Sequence, residues 1–271
     1  MHNTSNTQPI GIFDSGVGGL SIVNCIKEQL PNEQLIYIAD SLYAPYGDKP
    51  DEVIIARVNT LATELVERNC KALVIACNTA TVTAVEQLRA KLSIPIIGVE
   101  PAIKPAVISS TNKKIAILTT QATAKNQRFL TLVEKFKLNS TVHIQPCPGL
   151  VELIENNQLH SHTFEKLLQT YLTESLNENV DTIVLGCTHY PFFADKIKAI
   201  VGEDITLMET ALPVTEQLKR QLLLHDIMNT NTHSIKKNAQ DLYLSSQANN
   251  KLKTLMSALL NTSINLSSFT G

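Results

Sequence analysis

Short runs of apolar, largely β-branched residues alternate along this chain with longer segments in which apolar residues recur at helical spacing. Continuous apolar runs are typical of strands that are buried on both faces, and the longer segments are typical of amphipathic helices. The predicted strands, in chain order, are PIGIFDS, QLIYIADS, ALVIACN, IPIIGVE, KIAILTT, TVHIQPC, DTIVLGC, ITLME and DLYLSS. This alternation predicts an α/β fold with mainly parallel sheets that helices cover on both faces.

Two breaks in the alternation divide the predicted strands into two groups. The segment Gly98–Pro105 contains one glycine and two prolines, and a second break lies near Met208–Pro213. We therefore expect a first α/β domain formed by residues 1–97 together with residues 210–271, and an inserted second α/β domain formed by residues 98–209. In each domain the carboxyl ends of the strands should share one edge of the sheet, where α/β proteins bind ligands.

The composition is that of a globular protein, since 44% of the 271 residues are hydrophobic and 18% are charged. The formal net charge is −2, and the absence of a basic block argues against a nucleic-acid partner. No apolar run approaches the roughly 20 residues of a membrane span, and the first residues lack the features of a signal peptide. We therefore expect a cytoplasmic protein without a membrane partner, and a loose polar tail at NTSINLSSFTG.

The cysteines predict free thiols. Five are present without any CxxC pair, at positions Cys25, Cys70, Cys77, Cys147 and Cys187. In a reducing compartment such cysteines are expected to stay unpaired. Histidines and carboxylates show no recognisable ligand spacing, so no metal site is predicted.

Two of these cysteines occur in one repeated pattern. LVIACNTAT (residues 73–81) and TIVLGCTHYP (residues 182–191) each join an apolar run to a cysteine and then to a helix-like segment. A thiol at the start of a helix is close to the helix dipole and to free N–H groups, which stabilise a thiolate. Each cysteine alone could equally be a small buried residue. Together, however, Cys77 and Cys187 could approach one carbon from opposite faces, as an enzyme that inverts a carbon centre requires.

Polar residues beside the two thiols add candidate chemistry. His189 lies two residues after Cys187 and could hold a proton near that thiol, although a lone histidine is more often structural. Asn78 and Thr79 follow Cys77 and could donate hydrogen bonds to a carboxylate. The repetition of the cysteine motif favours a functional interpretation of these neighbours.

Other candidate residues lie in the predicted loops and first turns. Asp14 and Ser15 precede a glycine-rich turn, so they could lie beside a ligand or cap the next helix. Tyr46 and Gly47 lie in a predicted turn and could cover a small substrate, although turn formation alone explains the glycine. Glu152 lies in the first turn of a predicted helix, where a surface glutamate is also favourable.

These motifs, in this order, resemble those of the glutamate racemases, which belong to the cofactor-independent aspartate/glutamate racemase superfamily. The resemblance extends over nearly the whole chain, through GIFDSGVGG, ADSLYAPYG, CNTAT, IPIIGVEPAIKPA, TAKNQRF, CPGLVELIE, GCTHYP and the closing DLYLSSQANNKLKTLMSALL. The versions CNTA and GCTHYP favour the glutamate branch over the aspartate branch. The implied fold is a pair of similar α/β domains that face each other across a cleft containing the active site.

The resemblance also implies roles for individual residues in the interconversion of L-glutamate and D-glutamate. Cys77 would be the base for D-glutamate and Cys187 the base for L-glutamate. Asp14 and His189 would assist the neighbouring thiols, and Glu152 is a weaker auxiliary candidate near His189. Substrate contacts would come from residues of the loops, namely Asp14, Ser15, Tyr46, Gly47, Asn78, Thr79, Thr188 and His189.

Further expectations follow from the same resemblance. They are a homodimer, no cofactor, supply of D-glutamate for peptidoglycan, and a peptidoglycan precursor as an activator in some relatives. The chain departs from the family pattern at Glu209-Thr210, where relatives usually have Asp-Ser, and at Pro50 in the predicted loop. Neither position belongs to the predicted catalytic set.

The predicted mechanism must explain how a very weak acid, the α-carbon of an amino acid, loses its proton. No lysine has the sequence context of a pyridoxal enzyme, so hydrogen bonds in a closed, dry cleft would have to stabilise the carbanion-like state. Two alternatives remain open at this point. One is an aspartate racemase of the same superfamily, and the other is a non-catalytic protein that binds glutamate and regulates a partner.

Overall fold

The computed structural model describes residues 6–230 and 240–270, and its strands form two sheets. The strands are β1 (Ile10–Asp14), β2 (Leu35–Ala39), β3 (Ala72–Ile75), β4 (Ile96–Gly98), β5 (Lys114–Thr119), β6 (Thr141–Pro146), β7 (Thr182–Leu185), β8 (Thr206–Met208), β9 (Leu242–Ser245) and β10 (Leu266–Ser268). The first sheet has the order β10-β9-β2-β1-β3-β4, and the second has the order β6-β5-β7-β8. All neighbouring strands are parallel, which confirms the predicted α/β class.

Helices connect the strands in the way that parallel pairing requires. They are α1 (Leu20–Gln29), α2 (Asp51–Glu67), α3 (Asn78–Lys91), α4 (Ile103–Ser109), α5 (Gln121–Lys125), α6 (Gln127–Phe136), α7 (Leu150–Glu155), α8 (His162–Asn177), α9 (Ala194–Val201), α10 (Ala211–Leu224) and α11 (Asn250–Leu259). Short 3-10 turns occur at Tyr46–Asp48 and Tyr190–Phe193. Within the described ranges, none of the helices combines the length and the apolar character needed to cross a membrane.

The chain passes between the two sheets twice. It leaves the first sheet after β4, forms the whole second sheet from β5 to β8, and then returns to the first sheet for β9 and β10. Helix α10 packs against α1 after the return. We call the structure around the first sheet the first domain and the structure around the second sheet the second domain. The boundary residues near 97 and 210 stay predictions.

The central strands of each sheet bring the chemistry-bearing residues to one edge. All residues of β1 are buried, and the register pairs Phe13 with Ile75 of β3. Asp14 and Cys77, which follow directly, therefore lie at the same end of the first sheet. In the second sheet, the pairing of Leu118 with Leu185 places Cys187 at the corresponding end.

The expectation of a loose tail was wrong. The residues Leu266–Ser268 form β10, which pairs in parallel with β9, and the Phe269 N–H donates to the Ser245 carbonyl at 2.8 Å. The Phe269 side chain is only 5% exposed. The tail is polar on average, which is why the sequence predicted a loop. Its few apolar residues are nevertheless those that pack at the edge of the sheet.

Candidate active site

The two repeated cysteines line one small cavity between the domains. Its volume is about 20 Å³, which is room for about one water molecule. The lining comes from loops at the carboxyl ends of both sheets, through Ser15, Pro45, Tyr46, Gly47, Cys77, Asn78, Thr79, Thr120, Val151, Cys187, Thr188 and His189. Of the predicted site residues, only Asp14 and Glu152 are absent from this lining.

Cys77 lies where β3 passes into α3, as the cap of the helix. Its sulfur accepts a hydrogen bond from the Ala80 N–H at 3.5 Å, and its thiol donates to the Ser15 hydroxyl at 3.7 Å. Burial raises the pKa of Cys77, and the negative charge of Asp14 raises it further. The resting form of Cys77 is therefore the neutral thiol.

Asp14 lies beneath the cavity wall, at the end of β1, and its side chain is fully buried. It accepts hydrogen bonds from the Gly19 N–H at 2.8 Å and from the Ser15 hydroxyl at 3.5 Å. Burial raises the pKa of Asp14, with the nearby His189 opposing the shift. Ser15 thus connects Cys77 to Asp14 by a short chain of hydrogen bonds within the first domain.

Cys187 is paired with a histidine and a glutamate. Its sulfur lies 3.7 Å from Nδ1 of His189, and Nε2 of the same ring lies 2.6 Å from Oε1 of Glu155. A carboxylate oxygen without a proton can only accept a hydrogen bond. Nε2 therefore carries a proton and donates a hydrogen bond to Glu155. Burial alone would lower the pKa of His189, but the contacts with Cys187 and Glu155 outweigh it and the pKa is raised well above the ordinary value. The Cys187 sulfur thus lies next to an imidazole ring that favours the protonated form.

The carboxylate beside His189 is therefore Glu155, which the sequence analysis missed, and not Glu152. Both residues lie on α7, three positions apart, so they share one face of a short helix. Glu155 ends the helix and reaches the loop after β1, where the Val17 N–H also donates to its Oε1 at 2.7 Å. One carboxylate oxygen of Glu152 is buried without a hydrogen-bond partner in the described part of the chain. The sequence ELIE (residues 152–155) shows two glutamates on one helix face, but their spacing does not indicate which of them contacts His189.

Asn78 provides the clearest indication of a ligand. The residue is 3% exposed, and both its side-chain oxygen and its side-chain nitrogen lack hydrogen-bond partners among the described residues. Buried polar groups are nearly always paired. An amide that lines the cavity and lacks a partner is suited to donate a hydrogen bond to a bound carboxylate.

Three threonine hydroxyls meet on the same side of the cavity. The hydroxyl of Thr79, in the first domain, lies 3.1 Å from that of Thr120 and 3.2 Å from that of Thr123, both in the second domain. Thr79 was predicted from its motif, whereas Thr120 and Thr123 were missed because they lie in another segment, at the start of α5. Thr188 lines the opposite side, where its carbonyl accepts a hydrogen bond from the Ser21 hydroxyl at 3.0 Å.

Tyr46 lines the cavity, but its hydroxyl is bound to a buried carboxylate. The hydroxyl donates to Asp40 at 2.6 Å, and Arg57 forms an ion pair with the same carboxylate at 2.9 Å. Burial and the charge of Asp40 raise the pKa of Tyr46, so the phenol stays neutral. The buried Asp40–Arg57 pair fixes the loop that carries Gly47.

Other candidate chemistry is sparse in the residues that the structure describes. All five cysteines are free. No group of three or more histidine, cysteine, aspartate or glutamate side chains lies together as a metal site would, within residues 6–230 and 240–270. A larger groove of about 600 Å³ lies between Glu100, Arg89 and α10, but neither a thiol nor an imidazole lines it.

Sequence comparison connects this site to known enzymes. Residues 10–215 match the model of a family described as Asp/Glu/hydantoin racemase. A glutamate racemase of Ralstonia pickettii (strain 12J) is 48% identical over 214 residues, which are 79% of this chain and 76% of the relative. A glutamate racemase of Methylococcus capsulatus is 44% identical over 219 residues, which are 81% of each chain.

Structural comparison agrees over almost the full length. Glutamate racemase isoform RacE1 from Bacillus anthracis has a TM-score of 0.87 at 28% identity, covering 98% of both chains. Glutamate racemase from Francisella tularensis, solved in complex with D-glutamate, has a TM-score of 0.84 at 27% identity, covering 98% of both chains. Escherichia coli glutamate racemase, solved in complex with L-glutamate and the activator UDP-MurNAc-Ala, has a TM-score of 0.84 at 27% identity, covering 97% of this chain and 98% of the other.

Proposed function

This chain belongs to the Asp/Glu/hydantoin racemase family, and from that premise we propose that it interconverts L-glutamate and D-glutamate by moving the α-proton between two thiols. Sequence relatives named glutamate racemase support glutamate as the substrate, as do related structures that hold D-glutamate or L-glutamate. The observation that carries the two-thiol mechanism is that Cys77 and Cys187, from opposite domains, line one small cavity. The chain is accordingly an isomerase that acts on an amino acid.

The substrate carboxylates bind to polar groups that line the cavity, and among these groups the Asn78 amide would otherwise lack a hydrogen-bond partner in the described part of the chain. The Asn78 amide donates to one carboxylate oxygen, and the hydroxyls of Thr79 and Thr188 add further donors on either side of the cavity. These hydrogen bonds strengthen as negative charge moves onto the carboxylate during proton removal, because a bound substrate leaves little room for water in so small a cavity and the effective dielectric is low. This is how the protein stabilises the carbanion-like state.

The two thiols begin each turnover in different protonation states. With L-glutamate bound, the Cys187 thiolate takes the α-proton and the Cys77 thiol gives its proton to the opposite face of the carbon. The product is D-glutamate, and the enzyme is left with a Cys77 thiolate and a Cys187 thiol. The reverse reaction starts from that state. Ser15 and Asp14 on one side, and His189 on the other, return the protons between turnovers.

The proposal includes a biological setting. D-glutamate is supplied for peptidoglycan, and the enzyme acts in the cytoplasm as a homodimer. The bacterial origin of the relatives and the free cysteines support this setting. A peptidoglycan precursor as activator is supported by the relative that was solved with UDP-MurNAc-Ala. Assay with and without that compound tests the activation, and sedimentation of the purified protein tests the dimer.

Circular dichroism of L-glutamate with the purified protein, without added pyridoxal phosphate, tests the activity. In heavy water the product should carry deuterium on its α-carbon, and Cys77→Ala or Cys187→Ala should each reduce turnover by about 10³-fold or more. Racemisation at a near-normal rate in either variant would contradict the two-thiol mechanism. Racemisation of L-aspartate in preference to L-glutamate, or binding of L-glutamate without turnover, would overturn the assigned activity.

A further inference from the structure

The loop between β1 and α1 belongs to the first domain but contacts the histidine–glutamate pair of the second. The Val17 N–H donates to Oε1 of Glu155 at 2.7 Å, and His189 Nε2 donates to the same oxygen at 2.6 Å. One carboxylate oxygen therefore accepts two hydrogen bonds, one from each domain. The two donors, Val17 and His189, are almost completely buried, and the Glu155 side chain that accepts from them is 13% exposed.

Two glycines make this approach possible. A β-carbon added at Gly16 would overlap the carboxylate of Glu155, and one added at Gly18 would overlap the His189 ring. The backbone of the loop therefore lies in direct contact with the pair. Any side chain at Gly16 would force the carboxylate of Glu155 away from its present position.

The two thiols consequently differ in how their partners are held. Cys77 contacts Ser15 and the Ala80 N–H, which both belong to its own domain. Cys187 contacts His189, and His189 is held through Glu155 by the first domain. Separation of the domains would leave the Cys77 partners in place but would remove the Val17 donor from Glu155.

We propose that the Gly16–Val17 peptide is a positioning group for the reaction: its N–H fixes Glu155, so that His189 is correctly oriented beside Cys187 only when the two domains are closed. The inference rests on the proposed function for its catalytic consequence, while the geometry concerns the protein alone. Domain closure around a substrate then completes the Cys187 side of the site as well as enclosing the carbon. A fixed carboxylate also selects the His189 tautomer and maintains its affinity for a proton.

Two variants of the full-length protein test this role. Gly16→Ala displaces the Glu155 carboxylate by steric overlap. Replacement of Val17 by its α-hydroxy acid converts the N–H to an ester oxygen, which removes the donor without adding any atom to the loop. Ser21→Ala is the matched control, since it removes the hydroxyl that donates to the Thr188 carbonyl across the domains and to the Gly18 carbonyl within the loop, while the Val17 N–H and Glu155 stay unaltered.

Nuclear magnetic resonance of ¹⁵N-histidine-labelled protein provides the first readout. The His189 signals are assigned by their loss in His189→Asn. In the wild-type protein and in Ser21→Ala, we expect a His189 Nε2–H signal and a pKa of His189 above the ordinary value of about 6.5. In Gly16→Ala and in the Val17 ester, the pKa of His189 should fall and the signal should broaden or disappear.

Kinetics provide the second readout. We expect kcat to fall about tenfold or more in both test variants, with a smaller change in KM, since the substrate-binding groups are not altered. Unchanged His189 signals and unchanged kcat in the Val17 ester would overturn the proposal, even if Gly16→Ala fails to fold. Absence of racemisation in the wild-type protein would refute the proposed function instead, and the His189 titration would still decide whether the peptide positions the ring.

Discussion

Glu155 and Glu152 lie on one short helix but have very different surroundings. Glu155 holds His189 and accepts from the Val17 backbone, whereas Glu152 leaves one buried oxygen without a partner in the described part of the chain. The residue type and the helical spacing were visible in the sequence, but the direction in which the loop after β1 folds was not. The choice between the two carboxylates therefore needed the three-dimensional structure.

Substitution of each glutamate by glutamine should separate their roles. Glu155→Gln removes the charge that supports protonated His189, so we expect kcat to fall about 100-fold. Loss of that charge also lowers the pKa of His189, so activity that needs the protonated ring should decline at a lower pH than in the wild type. Glu152→Gln should cause a much smaller loss. Steady-state kinetics between pH 6 and 10 check both expectations, and a larger effect at Glu152 would reverse the assignment.

Asp181 has no place in the active site, but its hydrogen bonds affect stability. It accepts from Ser110 at 2.6 Å, from the Thr111 N–H at 2.7 Å and from the Asn112 N–H at 2.8 Å. Partial burial alone would raise the pKa of Asp181, but these hydrogen bonds outweigh it and hold the pKa well below its ordinary value. The carboxylate thereby connects the turn before β5 to the start of β7.

The depressed pKa of Asp181 predicts a pH-dependent stabilisation. Because the folded pKa lies below the unfolded value of about 3.9, the contribution is fully present above that pH and is lost as the pH falls toward the folded pKa. Asp181→Asn should lower the free energy of unfolding by about 1 kcal/mol at pH 7, given that the site is largely solvated. Urea unfolding at pH 7 and below pH 4 measures the difference, and a difference that did not shrink in acid would contradict this account.

Among the elements, the strands that carry the thiols were the most predictable and β10 was the least. Runs such as ALVI and TIVL are continuously apolar because both faces of a central strand are buried. An edge strand such as β10 is buried on only part of its surface, and its residues are mostly partly or fully exposed. Its sequence therefore resembles a loop, and only its pairing with β9 reveals it.

Phe269 should anchor this edge strand. Its side chain packs in the same buried cluster as Ile36, Ile38 and Leu244, and it is 5% exposed. Phe269→Ala should lower the free energy of unfolding by about 3 kcal/mol, because a buried aromatic ring is replaced by a void. The control Leu224→Ala removes a side chain that is 75% exposed and should change stability by less than about 0.5 kcal/mol. Urea denaturation measures both, and equal small effects would mean that the tail does not contribute to the core.

At the scale of the whole molecule, the cavity between the thiols is too small for its proposed substrate. Its volume is about 20 Å³, and Cys77 and Cys187 are each only 6% exposed. The sequence predicted two domains and the cysteines that face each other, but not how tightly the domains close, because closure depends on the shapes of both surfaces. We therefore expect the domains to separate when glutamate enters, and we interpret this structure as the closed form.

Alkylation of the buried thiols should report that movement. Iodoacetamide should modify Cys77 and Cys187 through the open form, and glutamate at ten times its Kd should slow both reactions about tenfold because it occupies the cavity. Cys25 lies outside the cavity and is partly exposed, so its rate serves as an internal control. Peptide mass spectrometry follows each cysteine separately. Absence of modification at Cys77 and Cys187 without glutamate would contradict the movement, and equal rates with and without glutamate would contradict binding of glutamate between the thiols.

The double passage of the chain between the sheets limits what that movement can be. A single connection would let one domain swivel in any direction, whereas two connections, one after β4 and one after β8, define a hinge axis through both crossing points. We expect the cleft to open by rotation about that axis. Each sulfur would then return along the same arc after every product release, so that the two backbone connections preserve the alignment on which inversion of a carbon centre depends.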